Sequence, residues 1–202
     1  MNAVREPERY KLSFGVGGLY LQGAPIAARL YLELRDWVAV RAALDADNLL
    51  QARTASSARR WGRELVQRLG ELSDAELEIL TDATANERAQ LMWAATCRRY
   101  ELVAEFAEEV LRERFLLLAT DVLPEHFEAF VRGKAMWHDE LNQLETSTMT
   151  KLRTSLFLMM READFLTEEG AIIPTLLSGR VQDELARRVP SDIRFFPTRE
   201  SA

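Results

Sequence analysis

Cysteine is all but missing. Cys97 is the only one in 202 residues, so no disulfide can close within the chain, which suits a reducing compartment. It sits in a helical context, LMWAATCRRYELVAEF, and reads as a small buried hydrophobe. Histidine is nearly as scarce: His126 and His138 stand twelve residues apart, outside HExxH or any close ligand pair. Polar or capping roles are expected for both, and neither a metal nor a cofactor is expected. No GxSxG occurs, and Cys97 has no histidine near it in sequence, which removes the familiar nucleophile arrangements. Carboxylates such as Glu105, Glu108 and Glu109 are spaced as on a solvated helix face, not as an acid/base pair. The chain is therefore not expected to be an enzyme. No uncharged apolar run approaches the ~18 residues of a membrane span; the greasiest stretch is only Phe115 to Ala119. The opening MNAVREPERYKLSF lacks the apolar core of a signal peptide, so a cytoplasmic protein with no membrane association is expected. No internal repeat or low-complexity segment appears.

What is present reads as helix. Apolar residues make up 48% of the chain, enough for one domain or two small ones burying roughly 70% of the unfolded surface. Tyr10 to Phe14 reads as a short strand or extended segment. The GVGG after it lacks the Lys–Ser/Thr of a phosphate loop and reads as a packed turn. Pro25 starts a helix that runs to Leu34. Asp36 caps a second, and Asn48 can end it. Thr54 or Ser56 caps a third running to about Leu69, with Trp61, Leu65 and Leu69 turned toward the core and Gly70 as its stop. Ser73 caps the next. Further helices are expected from about Asn86 to Ala107 or on toward Phe115 with a break, from Pro124 with an interruption at Gly133, and from about Thr148 to Ala163. Then come a strand at Ala171 to Ile173, the helix LSGRVQDELARR and a strand-like DIRFFP. The expected fold is mainly α and compact. It divides into a helix-turn-helix-like part at residues 1–72, central acidic helices at 73–120, and a winged-helix-like part with short strands at 121–202.

Charge is unevenly spread. The formal net charge of −6 argues against a general polyanion binder. Yet from Leu49 to Gly70 five arginines (Arg53, Arg59, Arg60, Arg63, Arg68) meet one acid, Glu64, whereas from Glu71 to Glu113 eleven acids meet four arginines. In RTASSARRWGREL a helix starting near Ser56 places Thr54, Ser56 and Ser57 at its N-terminus, where free N–H groups and the helix dipole favour phosphate. Arg59 and Arg63 share a face and Arg60 lies beside it. A short helix, a turn of roughly six residues and a helix with this N-terminus is the layout of helix-turn-helix DNA binding. A second start, TSTMTKLRTSLFLMMR, brings Lys151 and Arg153 with no acid between Thr146 and Arg161. Arg180 stands on a later helix. The bland alternative is that these cations solvate a surface or pair with the acidic half.

The pieces LYLELRDW, NLLQARTASSARR and LSDAELEIL resemble the BrxA family of bacterial BREX phage-defence systems, and CRRYELVAEFAEEVLRERF, AMWHDEL and FFP look similar too. The likeness runs from about Tyr10 to Pro197, with RTASSA its most specific piece. It implies a mostly helical accessory protein linked to DNA binding, encoded beside an ATPase, a methyltransferase and a phosphatase-like protein. The expected function is a non-enzymatic double-stranded-DNA-binding component with little sequence preference, partnered by other BREX proteins. The residues expected to meet DNA are Arg53, Thr54, Ser56, Ser57, Arg59, Arg60, Arg63, Lys151, Arg153 and Arg180. A protein–protein interaction module and a helical RNA-binding protein are the alternatives.

Overall fold

The computed structural model describes residues 9–199, and most of the polar lead, residues 1–8, lies outside them. Pro25 opens α1 (Ala24–Leu34), and Arg35 ends it in the left-handed conformation at φ 53°. Asp36 caps α2 (Trp37–Ala46) by accepting from the Val38 amide at 2.8 Å. Thr54 caps α3 (Ala55–Leu69). Reciprocal capping boxes, Ser73 with Glu76 and Thr84 with Glu87, open α4 (Asp74–Asp82) and α5 (Ala85–Arg99).

The centre of the molecule is α5. Every residue from Ala89 to Cys97 is buried, as expected of a helix covered on all sides. Trp93 is fully enclosed, packs edge-on to Phe165, and donates its indole N–H to the Phe195 carbonyl at 2.9 Å. Burial pushes the Cys97 thiol well up. The long helix expected from Asn86 breaks at Tyr100, whose backbone is extended (φ −125°, ψ 98°). Its hydroxyl donates to buried Glu64 on α3 at 2.6 Å, so a tertiary hydrogen bond sits at the break. The chain resumes as α6 (Glu101–Phe106), a π turn over Ala107–Arg112, and α7 (Glu113–Leu116).

After these come α8 (Pro124–Lys134), α9 (Asp139–Asn142), α10 (Thr146–Glu162) and α11 (Gly179–Ala186). α8 runs through Gly133 without interruption, and α10 begins two residues ahead of Thr148. His126 folds back so that its Nδ1 accepts from the Leu123 amide at 2.8 Å, a capping role. His138 stacks on Tyr10 at 3.9 Å between ring centres. Buried side chains from Tyr10 through Phe196 form one cluster that draws on all three segments of the chain.

The short strands are mostly not there. DIRFFP is a 3-10 turn over Asp192–Phe195, because the Ser191 hydroxyl accepts from the Ile193 amide at 3.3 Å and winds the chain. Ala171 and Ile172 form two isolated bridges, to Asp121 and Leu166, and among the described residues no ladder extends them. Pro174, with no N–H to donate, follows at once. Tyr10 to Phe14 forms no strand, and the chain already turns at Ser13 and Phe14. The winged-helix-like description therefore keeps its helices but not its sheet. GVGG is a packed turn: Gly17 takes φ 71°, and a Cβ on Gly18 would collide with the Glu162 carboxylate.

Candidate nucleic-acid interface

Local chemistry builds the start of α3. Thr54 is extended (φ −136°, ψ 150°), and its hydroxyl accepts from the Ser57 amide at 3.2 Å while donating to the Ser57 hydroxyl at 2.9 Å. Ser56 Oγ stands 3.2 Å from the same Thr54 oxygen. No acidic residue occupies the first turn, so nothing offsets the positive end of the helix dipole. Around this start Arg53, Arg59, Arg60 and Arg63 are all exposed. Among the described residues none of the four makes a hydrogen bond or ion pair.

Most acids of the central segment are engaged elsewhere. Glu76 pairs with Arg98, Glu87 with Arg180, Glu105 and Glu109 with Lys134, Glu108 with Arg194, and Glu71 with Arg99. The arginines of α3 are thus left out of the internal pairing, although the sequence supplies acids enough to neutralise them.

The other expected cations behave differently. Lys151 is exposed without a partner, but Arg153 pairs with Glu128. Where α10 meets α3, the Arg68 Nη1 lies 3.6 Å from the Met159 sulfur. That contact is near the C-terminal end of each helix, away from the cations at their starts. Arg180 is fully committed: Nε and Nη2 each reach Glu87 at 2.7 Å and Nη1 reaches Asp82 at 2.8 Å. It ties α11 to α4 and α5, so its charge is balanced where it stands. Its hydrogen bonds, against the cost of burial and with help from Thr84 and Ser178, hold the Glu87 carboxyl well below the usual carboxylate range. A carboxyl depressed in the fold adds stability above its unfolded pKa and loses it as pH falls toward the folded value. Melting the protein from pH 7 downward is therefore expected to show stability draining away below about pH 4.5, with Arg180→Ala flattening that slope. An unchanged slope in the variant would remove this pair from the acid response.

Arg68 departs furthest from expectation. Counted with the basic run, it is instead completely buried. Its Nη1 donates to the Gly18 carbonyl at 2.7 Å, its guanidinium lies 5.1 Å from the Tyr20 ring centre, and Nε and Nη2 have no partner. Trp61, expected in the core, is only half-buried.

Two further features escaped the sequence. Arg41 on α2, exposed and unpaired, lines with Arg59, Arg63 and one carboxylate, Asp45, a groove of about 430 Å³ whose other walls are Val38, Ala42, Ala58 and Gly62. A larger polar cleft of about 710 Å³ gathers Arg9, Lys11, Arg99, Arg188 and Arg194, together with Glu71, Glu101 and Asp192, from distant parts of the chain. Arg41 was legible in principle, since it lies on the helix preceding α3. The cleft was not, because only folding brings its segments together. Among the described residues no group of three or more His, Cys, Asp or Glu could hold a metal ion, and no helix is long and apolar enough to cross a membrane.

Fold and site together define a compact, mainly helical protein that presents exposed arginines without ion pairs at the capped start of one helix. The chain belongs to the BrxA family, whose model matches residues 8–189. It is 26% identical over 170 residues to a protein of Paramagnetospirillum magneticum (strain ATCC 700264 / AMB-1) named BREX protein BrxA, covering 79% of this chain and 80% of that one. It is 23% identical over 119 residues to the BREX protein BrxA of Escherichia coli O9:H4 (strain HS), covering 59% of this chain and 56% of that one. The crystal structure of an uncharacterized protein from Magnetospirillum magneticum has the same fold, with a TM-score of 0.79 at 22% identity, over 94% of this chain and all of the other.

Proposed function

We propose that this chain is a non-enzymatic DNA-binding accessory component of a BREX phage-defence system. In this reading α2 and α3 act in the manner of a helix-turn-helix, although residues 47–54 between them exceed that motif's turn of about 3–4 residues. Arg53, Arg59, Arg60 and Arg63 meet phosphates, and the amides and hydroxyls at Thr54, Ser56 and Ser57 sit close enough to the backbone of a duplex to fix its position. Arg41 joins them from α2, and Lys151 extends the surface if the duplex reaches α10. Arg180 and Arg153 are left out because carboxylates already hold them.

One observation carries this reading: an acidic protein leaves four neighbouring arginines exposed and without an ion pair while most acids of its central segment bind other cations. Holding like charges side by side without compensation is unfavourable for the fold, so a polyanion is the natural counterpart. Membership of the BrxA family supplies the setting, and the relatives' shared name makes other BREX proteins the natural partners.

The test is duplex binding across salt. Four phosphate contacts give a log–log slope of about −3.6, so affinity should fall roughly 100-fold between about 50 and about 200 mM salt. Single-stranded RNA of equal length in competition should displace the duplex poorly. Absence of duplex binding at low salt, or a slope near zero, would remove the proposal.

A further inference from the structure

The largest cavity among those described lies on the flank of α3 beside the arginine face. It holds about 850 Å³, with Tyr20, Gln22, Leu50, Gln51, Trp61 and Glu162 among its walls, within the range of small-ligand sites, about 300–1,000 Å³. Its chemistry is mixed in a particular way. Tyr20 and Trp61 offer aromatic rings, both half-buried. Gln22 and Gln51 offer amides that donate and accept. Glu162 accepts from the Leu19 amide at 2.5 Å through one oxygen, and no hydrogen bond engages the other.

The walls are built, not incidental. Tyr20 and Gln51 both stand in the left-handed backbone region, at φ 57° and φ 51°, a conformation that non-glycine residues hold only when the surroundings enforce it. The Tyr20 hydroxyl is tethered to the Val16 carbonyl at 2.9 Å. Behind that ring stands Arg68, completely buried, its Nε and Nη2 without partners and no carboxylate paired to it. A guanidinium without a direct carboxylate partner inside one wall favours an electron-rich guest, against the Glu162 carboxylate on another wall. The mouth joins the cationic face directly in sequence: Trp61 follows Arg59 and Arg60 on α3, and Gln51 precedes Arg53 by two residues.

A guest suited to this site has a flat ring to stack, edge groups to hydrogen-bond and an anionic tail for the neighbouring arginines. Those are the parts of a nucleotide. In a paired duplex the ring is covered by its neighbours, so it reaches such a cavity only when unpaired or turned out of the stack. We propose that the cavity between Tyr20 and Trp61 takes one unstacked nucleotide from the DNA held on α3. This inference rests on the DNA-binding reading above.

Fluorescence anisotropy of the full chain with two probes tests it: a fully paired duplex and the same duplex carrying one unpaired adenine. The unpaired probe should bind about tenfold tighter, the scale of one base stacked on an aromatic side chain. Trp61→Ala and Gln22→Ala should each erase most of that preference while leaving affinity for the paired duplex unchanged, and Trp61→Phe should keep most of it. Equal affinity for the two probes overturns the inference and leaves the DNA-binding reading standing. A preference that survives in Trp61→Ala overturns it as well. Should Trp61→Ala lose helical content, Gln22→Ala and Trp61→Phe decide the matter. Failure to bind either probe overturns both readings.

Discussion

Replacing Arg98 by alanine is expected to destabilise the protein by about 3–5 kcal/mol, the cost of breaking a buried ion pair from one side. Arg98 is 5% exposed, and its partners Glu76 and Asp192 are 2% and 4% exposed. Its Nη1 and Nη2 grip both oxygens of Glu76 at 2.8 and 2.6 Å, Nε holds Asp192 at 2.6 Å, and Nη1 also reaches the Glu71 carbonyl at 3.1 Å. Burial pushes the Glu76 carboxyl up, but the hydrogen bonds and charge of Arg98, with the Ser73 amide, outweigh it and hold Glu76 below its ordinary value. Removing the guanidinium leaves two carboxylates in a nearly dry site and breaks the ion-pair link between α4 and the C-terminal turn over Asp192–Phe195, which Trp93 still ties to α5. The denaturant midpoint followed by circular dichroism reads the effect. A loss below about 1 kcal/mol would show that water or a neighbouring cation such as Arg194 takes over the role, since surface pairs are worth no more than that.

The second large effect falls on binding. Changing Arg59 and Arg60 together to alanine is expected to make the salt slope of duplex binding shallower by about 2 and to weaken binding roughly 10- to 100-fold at low salt. Both residues are exposed and make no hydrogen bond or ion pair among the described residues, so stability should change by no more than about 0.5 kcal/mol. Arg180→Ala is the control with the opposite signature: its charge belongs to Glu87 and Asp82, so the fold's acid response should change and the salt slope should not. A double variant that binds duplex as tightly as the parent would take α3 out of the interface.

These two expectations separate arginines that look alike in sequence. Arg59 and Arg68 lie on the same helix within one basic run, yet one is exposed and the other completely buried. Helical periodicity hints at the difference, since Arg68 lies toward the side of Leu65 and Leu69. It does not say that a glycine turn and two tyrosines would receive the charge. Arg180 was likewise indistinguishable from a free surface cation until α4 and α5 delivered Asp82 and Glu87 to it. The missing sheet has a similar origin. DIRFFP has strand-like composition, but Ser191 winds it into a turn and Trp93 anchors it through the Phe195 carbonyl.

The chain's own chemistry determined its helical character, most helix starts, the capping by Thr54, Ser73 and Asp36, the burial of Cys97, and the crowding of unopposed arginines at the start of α3, because each depends on residues within a few turns of one another. Only the tertiary structure decided which cations remain free. Pairing is a matter of distance between segments far apart in sequence, and the fold alone brought Arg98 to Asp192, Arg180 to Glu87, and Arg68 behind Tyr20, while leaving Arg53, Arg59, Arg60 and Arg63 to the solvent.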